Sequence, residues 1–557
     1  MVHYHISSTQ PSSHRIQIML SFLPKSNKNI LKLPVWRPGR YELADFSKNV
    51  YRIKASQNEN SVSVKKVTKN EWLIITEDVE NKIEVSYEYA AQTMDGGNSW
   101  VDENQWYINF INCMMEVNHL RNSNHIVSFT FPDNYKIACG LKQESDQLIA
   151  SNYLELVDCP MIASPHLKHE TFEEGNCVFH IWIQGNCQPN WVELKKQFKD
   201  YTKSQIELFG NFPCEEYHYL FQILPYKFYH GVEHRNSTTI VLGPDTEFLK
   251  PEFQNNLLGI SSHELFHTWN ITRIRPKELT PYNLFKEVYF DTGYVAEGVT
   301  TYYGDLMLVR SGVFSEEQYH KEINTLLKRH FYNDGRHELS LTESSIDLWV
   351  DGYKPGAPHR KVSIYVKGAL VSLMLDLLIR KETESLESLD SVMTLMWSHF
   401  GDSEIGYTSA DFQLFAEQVS GIKLDDFFKK YIYGNEPIEK LLDSLLRTMG
   451  CGIRETYSTD PIHKTYGMLL DSNKTVTQIA PSSPAFYGMM IGDQITQTVT
   501  TNDSLKLDFT RNGQSLEREL KSIGQSFFKS YELYKLEAVT TEQKKAYMVW
   551  LETSFSL

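Results

Sequence analysis

Cysteine is scarce and irregular in this chain: seven residues among 557, at positions 113, 139, 159, 177, 187, 214 and 451, with no CxxC pair. An odd count without paired spacing argues against a disulfide framework and fits reduced thiols in a cytoplasm. Long apolar runs are missing as well. The most apolar later stretch, Gly368 to Ile379, contains Asp376 and falls short of the ~20 residues that a spanning helix needs. Met1 to Leu23 has no cationic start followed by an apolar run, and His3, His5 and Ser7 interrupt it, so no signal peptide is expected. Positive charge is in deficit, with 55 Lys and Arg against 70 Asp and Glu and a net charge of −15. That balance argues against nucleic acid or an anionic membrane as partner, and mildly favours substrates carrying a free amino group. A Gly-rich phosphate loop, a Ser-His-Asp signature, internal repeats and low-complexity tracts are all absent.

What is present is a soluble globular composition, 41% apolar and 22% charged, in a chain long enough for three or four domains. Within it lies His263-Glu264-Leu265-Phe266-His267. On a helix the spacing i, i+4 projects both imidazoles from one face, where they can reach a single Zn²⁺ while Glu264 faces the attacking water. Leu257 to Thr272 reads as that helix, with Ser261 or Ser262 as N-cap candidates and Arg275-Pro276 as its stop. A catalytic zinc takes a third protein ligand. The candidate is Glu297, because the stretch onward to Gly312, with Leu306, Met307, Leu308 and Val309, reads as a buried helix on which a carboxylate demands a cation. Thr301 and Asp305, four and eight residues further on, are candidates for orienting the histidines. Ligand types alone leave cobalt or manganese open beside zinc.

Periodicity organises the rest. Ile83 to Tyr89 and Val127 to Phe131 alternate with a period of two, which predicts an antiparallel β domain over residues 1–170. Trp191, Leu194, Phe198 and Tyr201 share a helical face, with Asn190 as cap and Gly210 as stop. Tyr217 to Leu224 and Ser237 to Val241 read as strands, which puts Glu233 beside or on a sheet edge. Residues 315–445 are helical in pattern, and Thr541 to Leu551 reads as a closing helix that can dock through Tyr547, Val549, Trp550 and Leu551.

The run His263 to Asn270, then Arg273-Ile274-Arg275-Pro276, then Ala296-Glu297-Gly298, resembles the PDZ-containing glycyl aminopeptidases, gluzincin metallopeptidases distantly related to aminopeptidase N. Leu33 to Phe46 is similar to the N-terminal signature of that family. By the same resemblance, His230-Gly231-Val232-Glu233-His234 corresponds to its Gly-Gly-Leu-Glu-His element, whose backbone pairs with substrate as an edge strand and whose glutamate receives the α-ammonium. His230 stands where glycine is usual and Val232 where leucine is, departures expected to narrow the S1 side. Tyr365, in Tyr365-Val366-Lys367-Gly368, matches a tyrosine that hydrogen-bonds the tetrahedral intermediate. Residues 466–495 resemble a PDZ domain, which implies capture of a peptide C-terminus.

The resemblance implies an α+β multidomain protein. Its parts are an N-terminal antiparallel β domain (1–170), a thermolysin-like zinc domain (171–315), a helical lobe closing the cleft (316–450), a PDZ-like domain (455–540) and a closing tail (541–557). One Zn²⁺ per chain held by His263, His267 and Glu297, with Glu264 as base, Tyr365 on the oxyanion and His230, Gly231, Val232 and Glu233 on the substrate, gives an aminopeptidase for small N-terminal residues. Two other classes are weighed beside it. A peptide-binding protein with a vestigial site has no need of all five of His263, Glu264, His267, Glu297 and Tyr365. An endopeptidase has no use for an ammonium receptor at Glu233.

Overall fold

The computed structural model describes every residue except Thr9, Asp133, Pro355, Asp402, Glu404, Asn502 and Leu557. The alternating runs of the first third become strands with one face buried: Ile83–Ala90 and His125–Thr130 belong to an eleven-stranded sheet. The expectation of purely antiparallel pairing fails at one place, where Val2–Ser7 runs parallel to His125–Thr130. Parallel neighbours need a long crossover, and all of the sheet but Lys142–Glu144 and Gln147–Ala150 lies between these two strands in sequence. A four-stranded sheet built from Lys136–Cys139, Met161–Ser164, Trp106–Ile108 and Trp100–Val101 completes this region.

A five-stranded mixed sheet follows. Helix Trp191–Phe209 starts at Asn190, whose side chain accepts from the Glu193 N–H, and ends at Gly210 with φ +85. It is the crossover that lets Cys177–Gly185 and Glu216–Ile223 pair in parallel. Ser237–Gly243 adds a third parallel strand, and Lys168–Glu174 and Phe228–Glu233 close the sheet as its two antiparallel edges.

The HExxH helix differs from the sequence expectation at both ends. It spans Pro251–Phe266, with proline in its first turn, where a missing N–H breaks no helical bond. Ser261 and Ser262 are buried inside it rather than capping it; the Ser262 hydroxyl donates to the Gly304 carbonyl at 2.7 Å and accepts from Gln205 at 3.0 Å. The helix stops at Phe266, well before Arg275-Pro276, because Thr268 to Ile274 folds back in a tight turn with Ile271 at φ +83. Glu297 lies on a π-helical turn, Tyr294–Val299, that runs directly into helix Thr300–Arg310.

Helices Glu316–Phe331, Val366–Glu382, Leu389–Phe400, Ser409–Ser420 and Glu439–Thr448 pack over this unit. Asp376, the charge within the apolar stretch, is fully buried, accepting from the Tyr302 hydroxyl at 2.6 Å and from Arg380 at 3.1 Å. It thereby ties helix Val366–Glu382 to helix Thr300–Arg310. Met468–Leu470 with Val476–Ile479, and the three strands Gln494–Thr500, Ser504–Arg511 and Gln514–Lys521, enclose a small core of Met468, Val476, Leu505, Leu507 and Phe509. Helix Thr541–Leu551 returns to the main core, where Tyr547, Trp550 and Leu551 are buried and the Trp550 N–H donates to the Tyr302 hydroxyl at 3.1 Å. Val549, expected to dock with them, faces solvent. Among the described residues no helix is long and apolar enough to cross a membrane.

Candidate active site

The motif helix and the π-turn bring three donor atoms together. His263 Nε2 and His267 Nε2 are 3.0 Å apart, and Glu297 Oε2 is 3.3 Å from His267 Nε2 and 3.9 Å from His263 Nε2. A tetrahedral ion bound at ~2.0–2.1 Å has N and O donors separated by roughly 3.3 Å, so this set fits zinc with shifts of about half an ångström. His267 Nδ1 lies 3.0 Å from the Asn270 carbonyl and therefore carries the proton, which leaves Nε2 as a lone pair aimed at the other two donors.

Two further carboxylates surround this group. Donor atoms of Glu233, Glu264 and His267 fall within 4.8 Å of one another. Glu233, Glu264 and Glu297 are only 6%, 5% and 2% exposed, a concentration of buried acid that calls for cations. Burial drives the Glu264 carboxyl well above the usual range, with Glu233 and Glu297 adding to the effect, and burial likewise raises Glu233. The two imidazoles diverge. Burial lowers His263, whereas burial of His267 is overcome by Glu297, then Glu233 and Glu264, which carry it up to about 10.

A cleft of about 600 Å³ opens onto His263 and Glu264, walled by Gly231, Tyr365, Tyr353 and Gly39. Alternation along Phe228–Glu233 turns Gly231 toward the motif helix: a Cβ there would sit 2.2 Å from Glu264 Oε1. Glu233 lies on the same strand face, and its Oε1 is buried with no hydrogen-bond partner. It also lines a neighbouring cavity of about 430 Å³ with Pro38, Asp158, Arg275 and Tyr282. His230 and Val232 point to the other face. His230 Nδ1 accepts from the Gly96 N–H at 3.2 Å at the cleft rim, and Val232 is buried against Gly96.

Tyr365 reaches the same cleft from the start of helix Val366–Glu382 and lines it with Tyr353, whose hydroxyl accepts from the Tyr41 N–H at 3.3 Å. Burial raises the Tyr365 phenol well above its ordinary range, with Glu297 next in effect, so it stays a donor at neutral pH. Tyr353 was not singled out by sequence, and a lone tyrosine among thirty-one gives no signal. The N-terminal segment Leu33 to Phe46 turns out to contribute a wall: Gly39, at φ +76, lies so close to Glu233 that a Cβ would be 2.5 Å from Oε2. Thr301 and Asp305 line the cleft, and neither orients a histidine. That contact falls to the Asn270 carbonyl, with the Thr300 hydroxyl 3.4 Å from His267 Nδ1.

Residues 3–165 match the N-terminal domain of the M61 peptidases, and residues 256–371 match the M61 glycyl aminopeptidase domain. The chain carries the domains of the M61 glycyl aminopeptidase family. It is a metallo-aminopeptidase. Among solved structures it is similar to an aminopeptidase N family protein from Idiomarina loihiensis, at 25% identity and a TM-score of 0.91, covering 99% of this chain and 100% of that one. It is also similar in fold to the M1 zinc metallopeptidase of Deinococcus radiodurans, at 12% identity and a TM-score of 0.50, covering 78% of this chain and 94% of that one. No curated protein matched the sequence.

Proposed function

We propose that this M61 aminopeptidase removes small N-terminal residues, Gly or Ala, from peptides, using one zinc held by His263, His267 and Glu297. The observation that carries the reading is the position of Glu233. Its unpartnered carboxylate oxygen ends an edge strand beside the donor set, within 4.8 Å of the Glu264 and His267 ligand atoms. An acceptor for an ammonium there leaves room for one residue before the scissile carbonyl, which makes the enzyme an exopeptidase rather than an endopeptidase.

When bound, zinc supplies a Lewis acid that acidifies water and polarises a carbonyl. Glu264, held as a carboxylate by a neighbouring cation, would take the proton of the attacking water and deliver it to the leaving amine nitrogen. Tyr365 donates its hydroxyl proton as a hydrogen bond to the developing oxyanion, adding no charge of its own. Gly231 leaves space for Glu264, and the backbone of Gly231 to Glu233 offers the edge on which the substrate extends. Preference for small residues rests on the closeness of Gly39 to Glu233 and on His230 at the cleft rim.

We also read 1–170, 171–315, 316–450, 455–540 and 541–557 as the working domains, and 455–540 as PDZ-like with a peptide C-terminus as its ligand. The paired strands Met468–Leu470 and Val476–Ile479 and the three-stranded sheet that share one small core support this. The deciding assay compares Gly-, Ala- and Leu-p-nitroanilide with their N-acetylated forms, using wild type, Glu264→Gln and Glu233→Ala, before and after chelation. Cleavage confined to free amines, abolished by chelation and by Glu264→Gln, is expected. Equal cleavage of blocked substrates would move the reading to an endopeptidase, and zinc binding without cleavage would leave a peptide-binding protein.

A further inference from the structure

We propose that Asn270 is a positioning residue that couples the two halves of the metal site, holding the π-turn of Glu297 in register with His267. The inference rests on the metal reading above.

Asn270 is fully buried and uses both ends of its residue. Its backbone carbonyl accepts from His267 Nδ1 at 3.0 Å. Its side-chain amide donates to the carbonyls of Val295 at 2.8 Å and Ala296 at 3.2 Å, and to Thr300 Oγ1 at 2.9 Å. The Thr300 hydroxyl itself donates to the Ala296 carbonyl at 2.8 Å and lies 3.4 Å from His267 Nδ1. With these acceptors around one atom, only the NH₂ end of the amide can occupy the position, and Oδ1 is left buried without a partner.

The carbonyls that Asn270 satisfies belong to the π-turn. In an ordinary α-helix they would accept from the N–H groups of Val299 and Thr300; a π-turn shifts that bonding to i+5, and the Asn270 amide adds a donor to both carbonyls in the shifted arrangement. Removal of the amide lets Val295 and Ala296 revert to helical pairing, which rotates Glu297 away from His267. Backbone strain points the same way. Ile271 is β-branched, buried and at φ +83, held there by its N–H to the Ile274 carbonyl at 3.0 Å. This φ turns the preceding peptide so that the Asn270 carbonyl meets His267, and strain of this kind persists only where surroundings over-determine it. His267 and Glu297, thirty residues apart in sequence, reach 3.3 Å through this one side chain and its strained neighbour.

The test measures zinc affinity by chelator competition, the visible spectrum of the cobalt-loaded protein, and thermal melting of metal-free protein, for wild type, Asn270→Ala and Asn270→Ser. Zinc affinity is expected to fall about 10- to 100-fold in Asn270→Ala, with a changed cobalt spectrum, while Asn270→Ser, which keeps one donor, falls between. Wild-type affinity and spectrum in both variants, with only melting lowered, would overturn the proposal. If Asn270→Ala does not fold, Thr300→Val substitutes: several-fold weaker zinc supports the coupling, and unchanged affinity rejects it. A wild type that binds no zinc would reject the metal reading itself, a result separable from any behaviour of the variants.

Discussion

Gly298 lies against Gly368, backbone to backbone: a Cβ on Gly298 would come within 2.5 Å of the Gly368 Cα. The contact places the π-turn of Glu297 against the first turn of the helix that begins at Tyr365, so a proposed ligand and a proposed oxyanion donor share one close crossing. Gly298→Ala is expected to separate them, lowering both zinc affinity and kcat. Intact affinity and kcat in a folded variant would show that the crossing is slack.

Gly231 faces Glu264 with no room for a methyl group. Gly231→Ala should displace the carboxylate and reduce kcat at least ~100-fold, the lower end of what general-base catalysis contributes. Zinc content should stay at one per chain, which separates a moved base from a lost metal.

Removal of the anionic oxygen at Glu233 should weaken free-amine substrates selectively. A hydrogen bond to a charged group is worth about 1.5–3 kcal/mol. Glu233→Gln is therefore predicted to lower kcat/KM by roughly 10- to 150-fold on Gly-p-nitroanilide. Any residual rate on the acetylated compound should not change; a parallel drop on both would assign Glu233 to the fold rather than to the ammonium.

Asp305 gives a pH prediction. Burial, with Glu322 beside it, pushes its carboxyl up to about 8 from an ordinary 3.8. A carboxyl whose folded-state value lies above its unfolded value stabilises the fold below about 4, and that stability is lost as the pH rises toward about 8. Asp305→Asn should therefore match wild type in melting temperature near pH 4 and exceed it progressively up to pH 8. A constant difference across that range would remove titration of Asp305 as the cause.

Much of this was legible locally. The cap and stop of Trp191–Phe209, the alternation in Ile83–Ala90 and the closing helix Thr541–Leu551 follow from side-chain periodicity and terminal residues. The motif helix was legible in type but misjudged in extent, because Ser261 and Ser262 are both buried inside it and the Ser262 hydroxyl is satisfied through Gly304 and Gln205, partners far away in sequence. Val549 was misjudged for a similar reason, since only the docked helix shows which of its faces meets the core.

By itself the sequence determined the chemistry: HExxH spacing sets two imidazoles and a carboxylate on one helical face, and the runs around Glu233, Glu297 and Tyr365 mark the family. Tertiary structure alone decided the geometry. It set Glu297 on a π-turn, chose Asn270 and Thr300 over Thr301 and Asp305 as the groups facing His267, and brought Gly39 from the N-terminal domain against Glu233. The reason is physical. Residue type and spacing act within a turn or a strand, whereas buried donors, acceptors and close backbone approaches are matched between segments that meet only when the chain has folded.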